Sequence, residues 1–158
     1  MNSVKIEYAN RDDIKEIINL IKALADYENL SSEAKATEEL LEEWIFDKKK
    51  AEVILLKVDE EIAGFALFFY NFSTFLGRAG IYIEDLFIYQ EYRGKGLGKL
   101  LFRELSKIAL ERECGRLEWS CLDWNSPSIE FYKSHGAKAM AEWTNYRLTE
   151  EDMKKITG

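Results

Sequence analysis

The chain has 158 residues, of which 47% are apolar and 32% charged, and its formal charge at pH 7 is −7. Length and composition fit one globular domain, residues 1–158, that buries a core without disulfide or metal staples. The acidic balance disfavours nucleic acid, whose phosphates require clustered Lys and Arg, and the apolar run over residues 62–70 falls far short of the roughly 20 residues of a membrane span.

Residues 4–8 alternate as a strand does. Asn10 is an N-cap, with Asp12 and Asp13 at the positive end of a helix dipole. Ile14, Ile17, Ile18, Ile21, Leu24 and Ala25 then recur at helical spacing. Thr37 caps a second helix with Leu40, Leu41, Trp44 and Ile45 on one side. Residues 51–58 and 62–70 read as a hairpin joined by Asp59 and Glu60. A loop is expected over 71–78 and a strand over 80–89. A glycine-rich turn, residues 92–98, feeds a helix with Leu97, Leu100, Leu101, Leu105, Ile108 and Ala109 on its apolar face, ended by Gly115. Residues 116–122 read as a strand. Asn125 or Ser126 caps a short helix carrying Pro127 in its first turn and closed by Gly136. Residues 137–148 hold a last strand or two, and Thr149 to Asp152 form a capping box that starts a C-terminal helix. The helix after the glycine turn is a crossover, which makes its flanking strands parallel. The expected fold is α/β (α+β): a mixed, mostly antiparallel sheet with helices on both faces.

No basic segment followed by an apolar stretch opens the chain, so a cytoplasmic protein is expected. Cys114, Cys121 and the single His135 are too few for a zinc site, and the cysteines read as reduced structural thiols with no metal bound.

The glycine turn presents several backbone N–H groups and a helix N-terminus to one point, which suits a phosphate. Leu100 stands where a Walker loop needs Ser or Thr, and Gly94-Lys95-Gly96-Leu97-Gly98-Lys99 lacks the third glycine of a dinucleotide fingerprint. What remains is an Arg93-x-x-Gly96-x-Gly98 pattern, compatible with a ligand or with a bare structural turn.

Residues 81–88, 92–98 and 125–137, in that order, together with residues 20–28, resemble the GNAT N-acetyltransferase superfamily and within it the diamine (spermidine/spermine-type) N-acetyltransferases. The resemblance covers nearly the whole chain and implies a sheet splayed in the middle, acetyl-CoA as cofactor and a homodimer. It implies that Leu86, Phe87 and Ile88 bond the pantetheine arm through their backbone. It also implies that Arg93, Gly94, Lys95, Gly96, Leu97, Gly98 and Lys99 hold the diphosphate, and that Asn125, Ser126, Pro127 and Ser128 lie near the coenzyme arm. Tyr132 matches the acid that protonates the departing thiolate beside the coenzyme. Glu84 matches the carboxylate that relieves the incoming amine of its proton, directly or through a water. Tyr27, Glu28, Glu118, Trp119 and Ser120 match positions around the acceptor.

Because neighbours on a strand point to opposite faces, one of Glu84 and Asp85 is expected to face the cleft and Asp85 to be structural. Ser73, Phe75, Thr144 and Tyr146 depart from the acidic and Trp contacts expected of a polyamine enzyme, which leaves a shorter diamine, a lysine-like amine such as thialysine, or another primary amine open beside a polyamine. His135, at a helix end, reads as a cation near the negative dipole rather than a base. The expected activity is acetyl transfer to a small primary amine by direct attack on the thioester. Its rivals are a non-catalytic acyl-CoA-binding sensor and an interaction protein that keeps only the fold.

Overall fold

The computed structural model describes residues 2–158. Five strands form one sheet in sequence order: β1 (Val4–Tyr8), β2 (Glu52–Val58), β3 (Glu61–Ser73), β4 (Arg78–Ile88) and β5 (Leu117–Trp119). The first four pair antiparallel, and β5 joins β4 in parallel after the crossover helix α3 (Leu97–Glu111). The β2–β3 hairpin turns at Asp59 and Glu60, which take φ of 50° and 70°. Neither is glycine, and the turn is held from outside: the Asp59 N–H donates to Ser3 O at 2.7 Å, and Ser3 N–H donates to the Asp59 carboxylate at 2.8 Å.

Alternation along the strands sends apolar side chains to both faces. One face carries Ile54, Leu56, Phe68, Ile81 and Ile83 against Leu101, Leu105 and Ile108 of α3. The other carries Val53, Leu55, Phe65 and Phe87 against Ile17 and Leu20 of α1 (Ile14–Tyr27) and Ile45. Each fully buried Leu, Ile or Phe contributes roughly 1.5–3 kcal/mol of transfer free energy, so both helix layers are locked to the sheet. No helix among the described residues is long and apolar enough to cross a membrane.

Four local expectations are corrected. The loop expected over 71–78 is only a tight turn between β3 and β4, in which Gly77 at φ 71° donates to Ser73 O. The second helix begins at Thr37 as α2 (Glu38–Leu41) and then widens into a π-helical stretch, Glu42–Asp47. The wider turn changes which residues face inward. Ile45 is buried while Leu40 and Trp44 stay nearly half exposed, with Lys48 Nζ over the Trp44 ring at 4.0 Å. Helix α3 ends at Glu111, and the left-handed residue after it is Glu113 rather than Gly115. Gly115 serves close packing instead, since a Cβ there would meet Leu76 Cδ1 at 2.9 Å. The strand expected over 116–122 pairs only at Leu117–Trp119, and none forms over 137–148 among the described residues. Alternation supplies strand propensity, but a strand exists only where a neighbour takes its backbone hydrogen bonds.

The chain divides into two compact units, residues 1–120 and 121–158. The second contains α4 (Ser126–Ser134) and α5 (Glu150–Thr157). Asn125 is buried and caps α4 by accepting from Ser128 N–H, Gly136 at φ 88° closes it, and Thr149 and Asp152 form the expected capping box on α5.

Candidate active site

The glycine turn lies between β4 and α3. Gly94 and Gly96 take φ of 78° and 76°, a region L side chains rarely adopt, and Gly96 is the N-cap of α3 with no side chain bonding the first-turn N–H groups. A Cβ placed on Gly94, Gly96 or Gly98 would meet nothing within 4 Å. The glycines therefore do not relieve internal crowding; at Gly94 and Gly96 they permit the backbone conformation, and all three leave the peptide surface bare. Bare N–H groups at a helix N-terminus fit a diphosphate. Arg93 anchors the turn: its Nε–H donates to Ile88 O at 2.9 Å, and its guanidinium lies 4.4 Å from the Tyr27 ring centroid and 5.2 Å from that of Phe87. The end of α1, the end of β4 and the turn thus form one rigid corner.

Strand β4 has an open edge beside this corner. Its parallel ladder to β5 covers only Ile81, Ile83 and Tyr82 between them, so Glu84 to Ile88 have β3 on one side and no ladder on the other. The unpaired edge, which includes Leu86, Phe87 and Ile88, can hydrogen-bond an extended amide-bearing chain. This is the splay that the resemblance implies.

A bulge gives the site its charge. Phe68 of β3 stands opposite Ile83 and Leu67 opposite Asp85, so Glu84 is an extra residue on β4. Ile81 and Ile83 belong to the α3 face, and so do Leu86 and Ile88. The parity switches between them, and both Glu84 and Asp85 lie off that face. The expectation that they point opposite ways is therefore corrected: the extra residue breaks the alternation. Both carboxylates instead interact with Glu28 at the end of α1. Burial, reinforced by Glu84 and then Glu28, pushes the half-buried Asp85 carboxyl up to about 7. Burial, then Glu84, also raises Glu28. Glu84 itself is exposed. Three crowded carboxylates, one of them titrating near neutrality, attract a cation and can accept its proton. Asp85, expected from the sequence to be structural, lies beside Glu84 and within the influence of Glu28. The adjacent acidic pair was visible in an apolar strand, but the bulge that turns both to one side was not.

A family model for the GNAT acetyltransferases matches residues 15–137. The chain belongs to the GNAT acetyltransferase family. It is an N-acetyltransferase, and the family takes its acetyl group from acetyl-CoA. Over its whole length this acetyltransferase is 32% identical to a thialysine N-epsilon-acetyltransferase of Sus scrofa, 99% of which is covered. It is 45% identical over 98 residues to the L-ornithine N5-acetyltransferase NATA1 of Arabidopsis thaliana, a match covering 62% of this chain and 43% of that one. An integron cassette protein from the mobile metagenome of V. cholerae superposes with a TM-score of 0.82 at 28% identity, covering 98% of both chains.

Other expected site residues of the acetyltransferase already have protein partners. Glu118 makes a 3.2 Å ion pair with Arg116 Nε and accepts from Asn71 Nδ2 at 3.1 Å. Trp119 packs edge-on against Phe102, with ring centroids 5.1 Å apart. The hydroxyls of Ser120 and Tyr82 are 2.7 Å apart. Exposed Lys95 lies 5.7 Å from the Tyr92 ring centroid, Lys99 is exposed, and Leu97 is buried in the core. In the second unit, Tyr132 is half-buried beside Phe131, and His135 is exposed with Nδ1 2.8 Å from Phe131 O.

Proposed function

We propose that the enzyme acetylates the terminal primary amine of a small, flexible cationic molecule. The carboxylate cluster of Glu28, Glu84 and Asp85 beside the open edge of β4 carries this reading. Two similar proteins are named for thialysine and ornithine, and one named for spermidine/spermine is 28% identical over 97% of this chain. All of these substrates place an ammonium at the end of an extended chain, which an acidic cluster favours.

Acetyl-CoA, when bound, supplies the activated thioester. The peptide groups of Gly94 to Lys99 hold its diphosphate, and the edge at Leu86 to Ile88 holds its amide-bearing arm. The acceptor ammonium, whose pKa is near 10, must lose a proton before its nitrogen can attack. An acceptor titrating near neutral pH is well matched to that step. We assign it to the Glu84–Asp85 pair, with the ionised Asp85 carboxylate, raised toward neutrality, taking the proton and Glu28 helping to hold the cation. The Tyr132 phenol is assigned as the acid for the departing thiolate on the family resemblance alone, as are contacts of Asn125 to Ser128 with the coenzyme. Residues 1–158 are taken as a single acetyltransferase domain, in a cytoplasmic homodimer.

The test is release of free thiol from acetyl-CoA with thialysine, ornithine, putrescine and spermidine as acceptors. Turnover on at least one, with thialysine or ornithine ahead of spermidine, is the expected result. Tight coenzyme binding without turnover on any amine overturns the proposal and leaves an acyl-CoA sensor.

A further inference from the structure

We propose that the notch at the start of β2 is a second ligand site, which binds a small organic carboxylate with an aromatic or alkyl body. The notch follows from strand lengths. Strand β2 begins at Glu52 opposite Phe68, while β3 runs on to Ser73, and β1 ends at Tyr8 opposite Ile54. From Phe69 onward β3 has therefore lost its β2 neighbour. The π-helical stretch after α2 closes over the gap and leaves a cavity of about 380 Å³ lined by Tyr8, Phe46, Lys49, Lys50, Phe69 and Tyr70 among others. That volume lies in the range of small-molecule sites, which pair apolar walls with a few placed polar groups.

Four polar side chains around the notch can donate: Lys49, Lys50, Tyr8 and Tyr70. Its one carboxylate, Glu52, is held on both oxygens by Arg112, at 2.6 and 2.9 Å. The Tyr8 and Tyr70 hydroxyls each accept from Arg112 at 3.0 Å, so the function each retains is its own O–H. Nearby cations are paired: Lys48 with Glu43, and Arg11 with Asp47. Among the described residues, Lys49 and Lys50 form no ion pair. The two lysines and two phenol protons favour an anion here, whereas an ammonium ligand finds one lining carboxylate, Glu52, already held on both oxygens by Arg112. In a chain of net charge −7 this is a local reversal of sign. It is also opposite in preference to the Glu28–Glu84–Asp85 cluster.

The backbone sets Lys49 in place at some cost. Lys49 has φ 52°, where Gly or Asn is ordinary. It is held there by bonds from Lys48 N–H to Glu43 O and from Lys50 N–H to Trp44 O, both 2.8 Å. Strained non-glycine residues and π-helical turns both concentrate at functional positions.

The test is calorimetric titration of the acetyltransferase with 3-phenylpropanoate, 3-phenylpropanol and 3-phenylpropylamine, together with amide NMR shifts. The carboxylate should bind at least tenfold more tightly than the alcohol, and the amine should not bind at the notch. Shifts should cluster at Ala9, Lys50, Ala51 and Phe69. A Lys49→Ser/Lys50→Ser variant, altered only at exposed positions, should weaken the carboxylate about tenfold while its melting temperature stays the same. Tyr8→Phe/Tyr70→Phe, which removes the two phenol protons, should weaken it by a smaller factor. Equal affinity for the three ligands, an unchanged constant in the lysine variant, shifts centred on Glu28 and Glu84, or no binding at tens of millimolar would each overturn the proposal. None of these outcomes depends on acetyl transfer.

Discussion

Replacing Asp85 by Asn separates stability from activity at one atom. In the unfolded chain the Asp85 carboxyl releases its proton at its ordinary value of 3.8, whereas in the folded chain it holds it up to about 7. Between those values the native state carries a proton that the unfolded state has lost, so stability falls as pH rises through that window and is level above it. A difference of about three pH units at 1.36 kcal/mol each sets an upper bound of about 4 kcal/mol on the penalty at pH 8. Asn has nearly the same shape and does not titrate, so Asp85→Asn removes this fall. The raised Glu28 carboxyl adds to it in the same direction, and its share persists in the variant. Urea unfolding of both proteins at steps from about pH 4 to pH 8.5 measures the difference. The two should be nearly equally stable at the acid end, and the variant should be more stable above pH 7. At about 2–4 °C per kcal/mol for a chain of this size, thermal melts should show the same trend. Acetyl transfer should move the opposite way, falling by about 10²–10⁴ if Asp85 accepts the amine proton. Parallel stability curves across the whole pH range would refute the burial argument. Unchanged turnover would refute the role in proton acceptance while leaving that argument intact.

Gly96→Ala forces a side chain into φ 76° at the head of α3; it should cost about 1 kcal/mol of stability and raise the KM for acetyl-CoA, both readable from melts and initial rates. Tyr132→Phe should slow turnover most at alkaline pH and leave coenzyme affinity unchanged, and equal loss at every pH would count against an acid role. Arg112→Met removes the donor that ties the end of α3 to Glu52, Tyr8 and Tyr70. With that ion pair only partly buried, the expected loss is about 1–3 kcal/mol in urea unfolding, with little change in kcat.

Much of this enzyme was legible in its residues. The 3.6-residue spacing from Ile14 to Ala25 and from Leu97 to Ala109 dictated two helices that each need a sheet face, and both cover one. Asn10, Thr37, Asn125 and Thr149 all cap where their short polar side chains suggested. The glycines at 94 and 96 announced a backbone in the left-handed region, because other residues resist it. These are local properties, decided by a residue and its near neighbours in the chain. Tertiary structure alone decided where pairing stops and where it slips: that β5 leaves β4 after three residues, that residues 137–148 form no strand, and that β2 starts late enough to open a notch beside Phe69. It also decided that β4 takes one extra residue at Glu84 and turns an acidic neighbour pair to the same side. Strand ends and bulges depend on what the partner strand offers across the ladder, and a carboxyl's proton affinity depends on the burial and charge brought around it from distant parts of the chain.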